Sequence, residues 1–164
     1  MALAGCRAVG LDRPRSAGKG LVVFVEIDRC ATDAIQVVTG VSLGKRTLKH
    51  MDFGKMAATF VDVRTGAAVR VVARDEARRL ATEWAVGEVD PRKAQTTAYR
   101  VMPEGELFRI EPVVVRSGWL DRRRVRVFCE ACGEGINYGR EVRAGGRTVC
   151  RPCGGERYYT IRPR

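Results

Sequence analysis

The chain has 164 residues, 45% of them apolar, and a net charge of +11. That is enough for one domain of ordinary size plus a small appendage, and too apolar for a disordered polymer. No apolar run approaches the ~20 residues of a membrane helix, and the first residues lack a basic start followed by an unbroken apolar segment. No membrane partner and no signal peptide are therefore expected, and the protein reads as cytoplasmic.

In chain order, residues 3–11 suit a short helix and residues 13–20 have loop composition. Residues 21–27 form a nearly continuous apolar run rich in β-branched side chains, the pattern of a buried strand. Residues 30–38 have helical periodicity, with Gly40 as the stop. Strands are expected over 57–63 and 68–73 around a turn at Arg64-Thr65-Gly66. Two polar helices follow, over 74–86 and 90–101, the second opened by an Asp90-Pro91 cap. Residues 108–116 read as a further strand.

The charge is uneven. Residues 1–112 carry 18 basic and 14 acidic side chains, whereas residues 113–164 carry 12 arginines and 5 acids. A basic region attracts polyanions, although a zinc ion held by four thiolates would carry a formal −2 and offset part of the excess.

Four of the six cysteines stand in two Cys-x-x-Cys pairs, Cys129/Cys132 and Cys150/Cys153, separated by 17 residues. Two residues between cysteines let a tight turn present both sulfurs to one metal, and two such turns complete the tetrahedron that zinc prefers. Gly133 and Gly154 directly follow the second cysteine of each pair, where glycine permits the positive φ and close backbone approach that a metal knuckle needs. Gly145-Gly146 suits a hairpin turn. A thioredoxin-like redox pair needs one Cys-x-x-Cys beside a βαβ unit, and disulfides need an oxidising compartment; neither describes this glycine-rich tail. Four thiolates leave no open position for water, so the expected zinc is structural. The expected fold is thus an α+β (α/β-like) domain over residues 1–120, followed by a small treble-clef or zinc-ribbon finger over residues 121–164.

The N-terminal region contains Glu26, then Cys30-Ala31-Thr32-Asp33-Ala34-Ile35-Gln36, Thr39-Gly40, Leu43-Gly44-Lys45 and Asp52-Phe53-Gly54-Lys55-Met56-Ala57. This run resembles the FmdE family, named for a component of formylmethanofuran dehydrogenase, and many members of that family also carry a C-terminal zinc finger. The family pattern usually opens with a His-x-His-x-Cys-x-Gly segment. This sequence does not contain it, and its first eight residues look like the helix that follows that segment. The namesake complex reduces carbon dioxide to a formyl group on methanofuran, using a molybdenum or tungsten pterin and iron–sulfur subunits. Beyond the four cysteines assigned to zinc, nothing here could hold a pterin or a cluster. The resemblance therefore implies an accessory component, with redox-complex subunits as partners, or a stand-alone relative acting on a small ligand or a metal.

Read from the residues, Cys30 and Asp33 lie three apart on one helix face. They stand where a helix begins after a buried strand, a common ligand position whose dipole favours an anion or a thiolate. Lys45 and Lys55 flank glycines and could meet an anionic substrate near Cys30; Asp52 could be a carboxylate ligand or a partner for either lysine. Each has a plainer reading: Cys30 as a packing residue, Asp33 as a favourable first-turn charge, and the lysines as solvated surface. His50 reads as an ordinary loop residue, and Cys6 as packed in the first helix. Two other functional classes stay open. One is a nucleic-acid module, with Arg122-Arg123-Arg124 and Arg126 before the finger and Arg157-Tyr158-Tyr159 after it. The other is an interaction protein, such as a homodimer.

Overall fold

The computed structural model describes residues 1–85, 87–121 and 124–162. They fall into two units, Met1–Leu120 and Asp121–Arg164. No described helix is long and apolar enough to cross a membrane.

In the first unit the apolar run becomes β1, Leu21–Val25, with every residue buried. It lies inside a five-stranded sheet of order β2-β1-β3-β4-β5, the other strands being β2 Leu48–His50, β3 Ala57–Asp62, β4 Ala68–Ala73 and β5 Phe108–Pro112. Only β1 and β2 run parallel; the remaining pairings are antiparallel. Strand alternation divides the apolar residues between two faces. Leu21, Val23, Val25, Ala58, Phe60, Val69 and Val71 share one core with Cys6 and Ile35, which come from helices α1, Ala2–Ala8, and α2, Cys30–Thr39. Gly5 is what lets α1 approach so closely. A Cβ there would lie 2.2 Å from the Phe60 ring. The opposite face holds Val22, Phe24, Val61 and Ala68, covered in part by Met51, Val113, Val115 and Leu120.

Helices α3, Glu76–Trp84, and α4, Pro91–Val101, form a hairpin whose seam is Ala77, Ala81, Ala94 and Ala98. Asp90 caps α4, its carboxylate accepting from Arg92 N at 2.8 Å. Val86, at the expected end of the first of these helices, lies outside the described residues. The expected strand over 108–116 stops at Pro112 because its partner begins at Ala68, and the last ladder contact is Val113 N to Ala68 O at 3.0 Å. The loop over 13–20 instead winds into a 3-10 segment, Pro14–Gly20. Strand β2 is too short to show a period. Short helices α5, Glu104–Leu107, and α6, Ser117–Leu120, complete the unit.

The second unit consists of two hairpins: β6 Arg126–Phe128 with β7 Gly135–Asn137, and β8 Val142–Ala144 with β9 Arg147–Val149. Gly145-Gly146 turns the second. Among the described residues its buried core is Cys129, Ile136 and Val149.

Candidate functional site

Each cysteine pair closes a knuckle of the same form. Gly133 N donates to Cys129 O at 2.9 Å, and Gly154 N donates to Cys150 O at 2.9 Å. Gly133 takes the left-handed backbone expected of it, with φ +76. Gly154 does not: there the requirement is space, since a Cβ would lie 2.8 Å from Val142 Cγ2, and the positive φ falls on Gly155. The first knuckle is tied to β9 by Glu130, whose carboxylate accepts from Thr148 N at 2.9 Å while Arg147 donates to its carbonyl.

The four sulfurs lie within 4.8 Å of one another, and Cys132 Sγ and Cys150 Sγ are 3.9 Å apart. A tetrahedron with Zn–S bonds of ~2.3 Å has edges of about 3.8 Å, so the donor set fits zinc in both number and spacing. Its electrostatics point the same way. The N–H of Cys150, 3.2 Å from Cys129 Sγ, lowers the Cys129 thiol to about 6 against the opposing effect of burial. At Cys132 the Glu134 N–H favours the thiolate, but contact with the neighbouring sulfurs and burial together push it up to about 12. Cys153 is likewise raised, chiefly by Cys150. Four thiols in mutual contact cannot all ionise without a cation among them.

In the first unit, Cys30 is exposed at the head of α2. With Asp28, Arg29, Thr32 and Asp33 it lines a recess of about 500 Å³, braced by Thr32 Oγ1 donating to Ile27 O at 2.6 Å. The other sequence candidates lie elsewhere. Lys45 Nζ donates to Gly40 O at 3.2 Å, at the far end of α2, roughly 15 Å along a ten-residue helix. Asp52 and Lys55 are exposed in the loop after β2; the Lys55 N–H donates to Glu26 O at 3.0 Å, but neither side chain lines the recess. His50 ends β2, and Cys6 is buried in α1, where loss of water pushes its thiol up to about 11.

Sequence reasoning overlooked a second feature. Glu26 is buried, and its carboxylate accepts from Arg70 Nε and a terminal guanidinium nitrogen, both at 2.7 Å. Above this pair, Phe24, Met51, Phe53, Thr59 and Trp119 line a pocket of about 260 Å³ on the partly covered sheet face. A carboxylate inside the apolar run LVVFVEI was the available signal, because buried charge requires a partner.

Comparison with known proteins bears on both units. The family described as FmdE, molybdenum formylmethanofuran dehydrogenase operon, matches residues 1–110. The prokaryotic dksA/traR C4-type zinc finger matches residues 123–159. A protein of Archaeoglobus fulgidus described as a probable S-adenosyl-L-methionine-binding protein is 30% identical, over 92% of this chain and 44% of its own length. The chain thus spans less than half of that curated relative. The crystal structure of a tungsten formylmethanofuran dehydrogenase FmdE-like protein from Syntrophus aciditrophicus has the same fold, with a TM-score of 0.58 at 19% identity, covering 97% of this chain and 91% of that one.

Proposed function

Because this chain belongs to the FmdE family, we propose that it is a small-ligand-binding protein of one-carbon or redox metabolism, either an accessory component or a stand-alone relative of formylmethanofuran dehydrogenase. Zinc held by Cys129, Cys132, Cys150 and Cys153 builds its finger, and Cys30 marks the ligand site. The observation that carries this reading is the separation of the two kinds of cysteine. The four finger sulfurs close on one another, leaving no position for a substrate, whereas Cys30 stands exposed over a recess at a helix head. Elemental analysis of the wild type and of Cys30→Ala tests it. One zinc per chain in both supports a filled finger and a binding or accessory role. Two metals in the wild type and one in the variant would make Cys30 a ligand of a second centre and bring an enzymatic role forward. Far less than one zinc in the wild type would overturn the finger assignment.

A second reading follows from the pocket above Glu26. Aromatic walls suit an adenine ring and a sulfonium, and a relative is described as a probable S-adenosyl-L-methionine-binding protein. Binding of S-adenosyl-L-methionine that is lost in Trp119→Ala is the expected result; no binding by the wild type removes this reading. Nucleic-acid binding is not favoured. Arg122 and Arg123 lie outside the described residues, and other finger arginines cap their own rings, Arg126 over Phe128, Arg140 over Tyr138 and Arg157 over Tyr159.

A further inference from the structure

A larger cavity, of about 600 Å³, opens between α2 and the α3–α4 hairpin. Its floor is apolar, with Ile35 and Phe108 prominent, and its rim carries Arg29 and Arg78 together with Gln95 and Tyr99. The rim is ordered from within: Gln95 Nε2 donates to the Tyr99 hydroxyl at 2.7 Å. No carboxylate lines the cavity among the described residues, and neither arginine forms an ion pair there. In this respect they differ from Arg70, which is paired with both Glu26 and Glu111.

Two guanidinium groups that form no ion pair, beside an apolar floor, make a receptor for a particular kind of molecule. Guanidinium presents paired donors to a carboxylate, phosphate or sulfonate, and an apolar floor favours a ligand whose body is hydrocarbon or aromatic. The volume is within the ~300–1,000 Å³ range of small-molecule sites. We infer that this cavity binds an amphipathic anion, its charged head between Arg29 and Arg78 and its apolar body against Ile35 and Phe108. Arg29 also lines the recess beside Cys30, so the head would lie next to that recess. The inference rests on the cavity's own lining and not on any chemistry of Cys30.

The test compares two fluorescent probes on the full chain: the anion 8-anilinonaphthalene-1-sulfonate and the uncharged N-phenyl-1-naphthylamine. The wild type is expected to bind the sulfonate saturably and to release it to hexanoate. Arg29→Ala and Arg78→Ala should each weaken sulfonate binding about tenfold, the scale of one charge-assisted hydrogen bond, and leave the uncharged probe unaffected. Arg78→Lys, which keeps the charge, should lose less than Arg78→Ala. The inference is overturned if the wild type does not bind the sulfonate, if the alanine variants bind it as tightly as the wild type, or if both probes weaken equally, which would show that the arginines do not select the charged head.

Discussion

The two units solve the problem of stability by different means. In the first, β1 buries all five of its residues, and helices α1 and α2 bring Cys6 and Ile35 to a core built around Phe60, Leu21 and Val71. Removal of apolar surface from water is the main favourable contribution there. In the second, the buried core is Cys129, Ile136 and Val149, far too little to offset the conformational entropy of some forty residues. One of those three is itself a metal-ligand candidate. What apolar burial does for the α/β domain, four sulfurs around a cation must do for the finger. The same residue type accordingly plays opposite parts: Cys6 is inert packing with a raised pKa, while Cys129 is held near ionisation.

The largest effect expected from this contrast is loss of the metal. Structural zinc contributes roughly 10–16 kcal/mol of apparent binding free energy in small fingers. Cys132→Ser, or chelation of the wild type, is therefore expected to unfold residues 121–164 outright and leave the α/β domain folded. Limited proteolysis should show the finger digested to a stable N-terminal fragment, whose thermal transition matches that of the intact protein. Unchanged protease resistance of the finger in Cys132→Ser would mean that it does not need its metal, and the comparison would fail.

The next effect is confined to the other unit. Phe60→Ala removes the largest fully buried side chain and should cost about 3–5 kcal/mol, measured by denaturant unfolding, while zinc content stays at one equivalent. The contact with Gly5 sharpens the test. Gly5→Ala alone drives a methyl into the Phe60 ring and should cost about 1–3 kcal/mol. In a Phe60→Ala background the same methyl has room, so the two changes should be strongly non-additive. Additive costs would show that α1 does not rest on that ring.

The contrast also explains what could be read from the sequence. The cysteine spacing encodes the finger because metal geometry acts locally: two residues between sulfurs make a knuckle whatever the rest of the chain does. Strand β1 and helix α2 are likewise evident, from an unbroken apolar run and from a periodic segment that Gly40 ends. Long-range placement is not. Lys45 follows α2 by only a few residues, and its position depends on a turn held by Ser42 and Thr47, with Ser42 N donating to Thr47 Oγ1 at 3.0 Å; that turn leaves the lysine at the helix end remote from Cys30. Arg70 meets Glu26 across 44 residues, and only the pairing of β3 between β1 and β4 brings them together. Arg29 and Arg78, 49 residues apart at the head of α2 and in α3, likewise line one cavity that no local pattern could announce. At Gly154 the spacing singles out the right residue, yet the cause is crowding by Val142 and not backbone conformation.

The smallest effect separates the units by acid. Asp62 is almost wholly buried at the end of β3. Burial raises its pKa, but the Arg64 N–H at 2.9 Å, the Thr65 hydroxyl and the Arg64 guanidinium at 3.2 Å outweigh that, and the net shift is downward. A carboxyl whose folded pKa lies below its unfolded value, about 3.9, contributes stability that is fully present above that value. The contribution is lost as pH falls through the folded pKa. Asp62→Asn keeps an acceptor for the Arg64 N–H but removes the charge, so it should cost up to about 1 kcal/mol at neutral pH. The cost should vanish at acid pH, where the wild type carries no charge there either. Zinc thiolates are protonated in competition with the metal, and the finger should lose its zinc at a higher pH than the one at which Asp62 matters. Stability of the α/β domain and zinc release, followed through one acid titration of wild type and Asp62→Asn, should therefore give two separate transitions, with only the lower one changed by the substitution. A single shared transition would mean that the carboxylate and the metal stabilise one cooperative unit, and that the division into a self-sufficient domain and a metal-dependent finger does not hold.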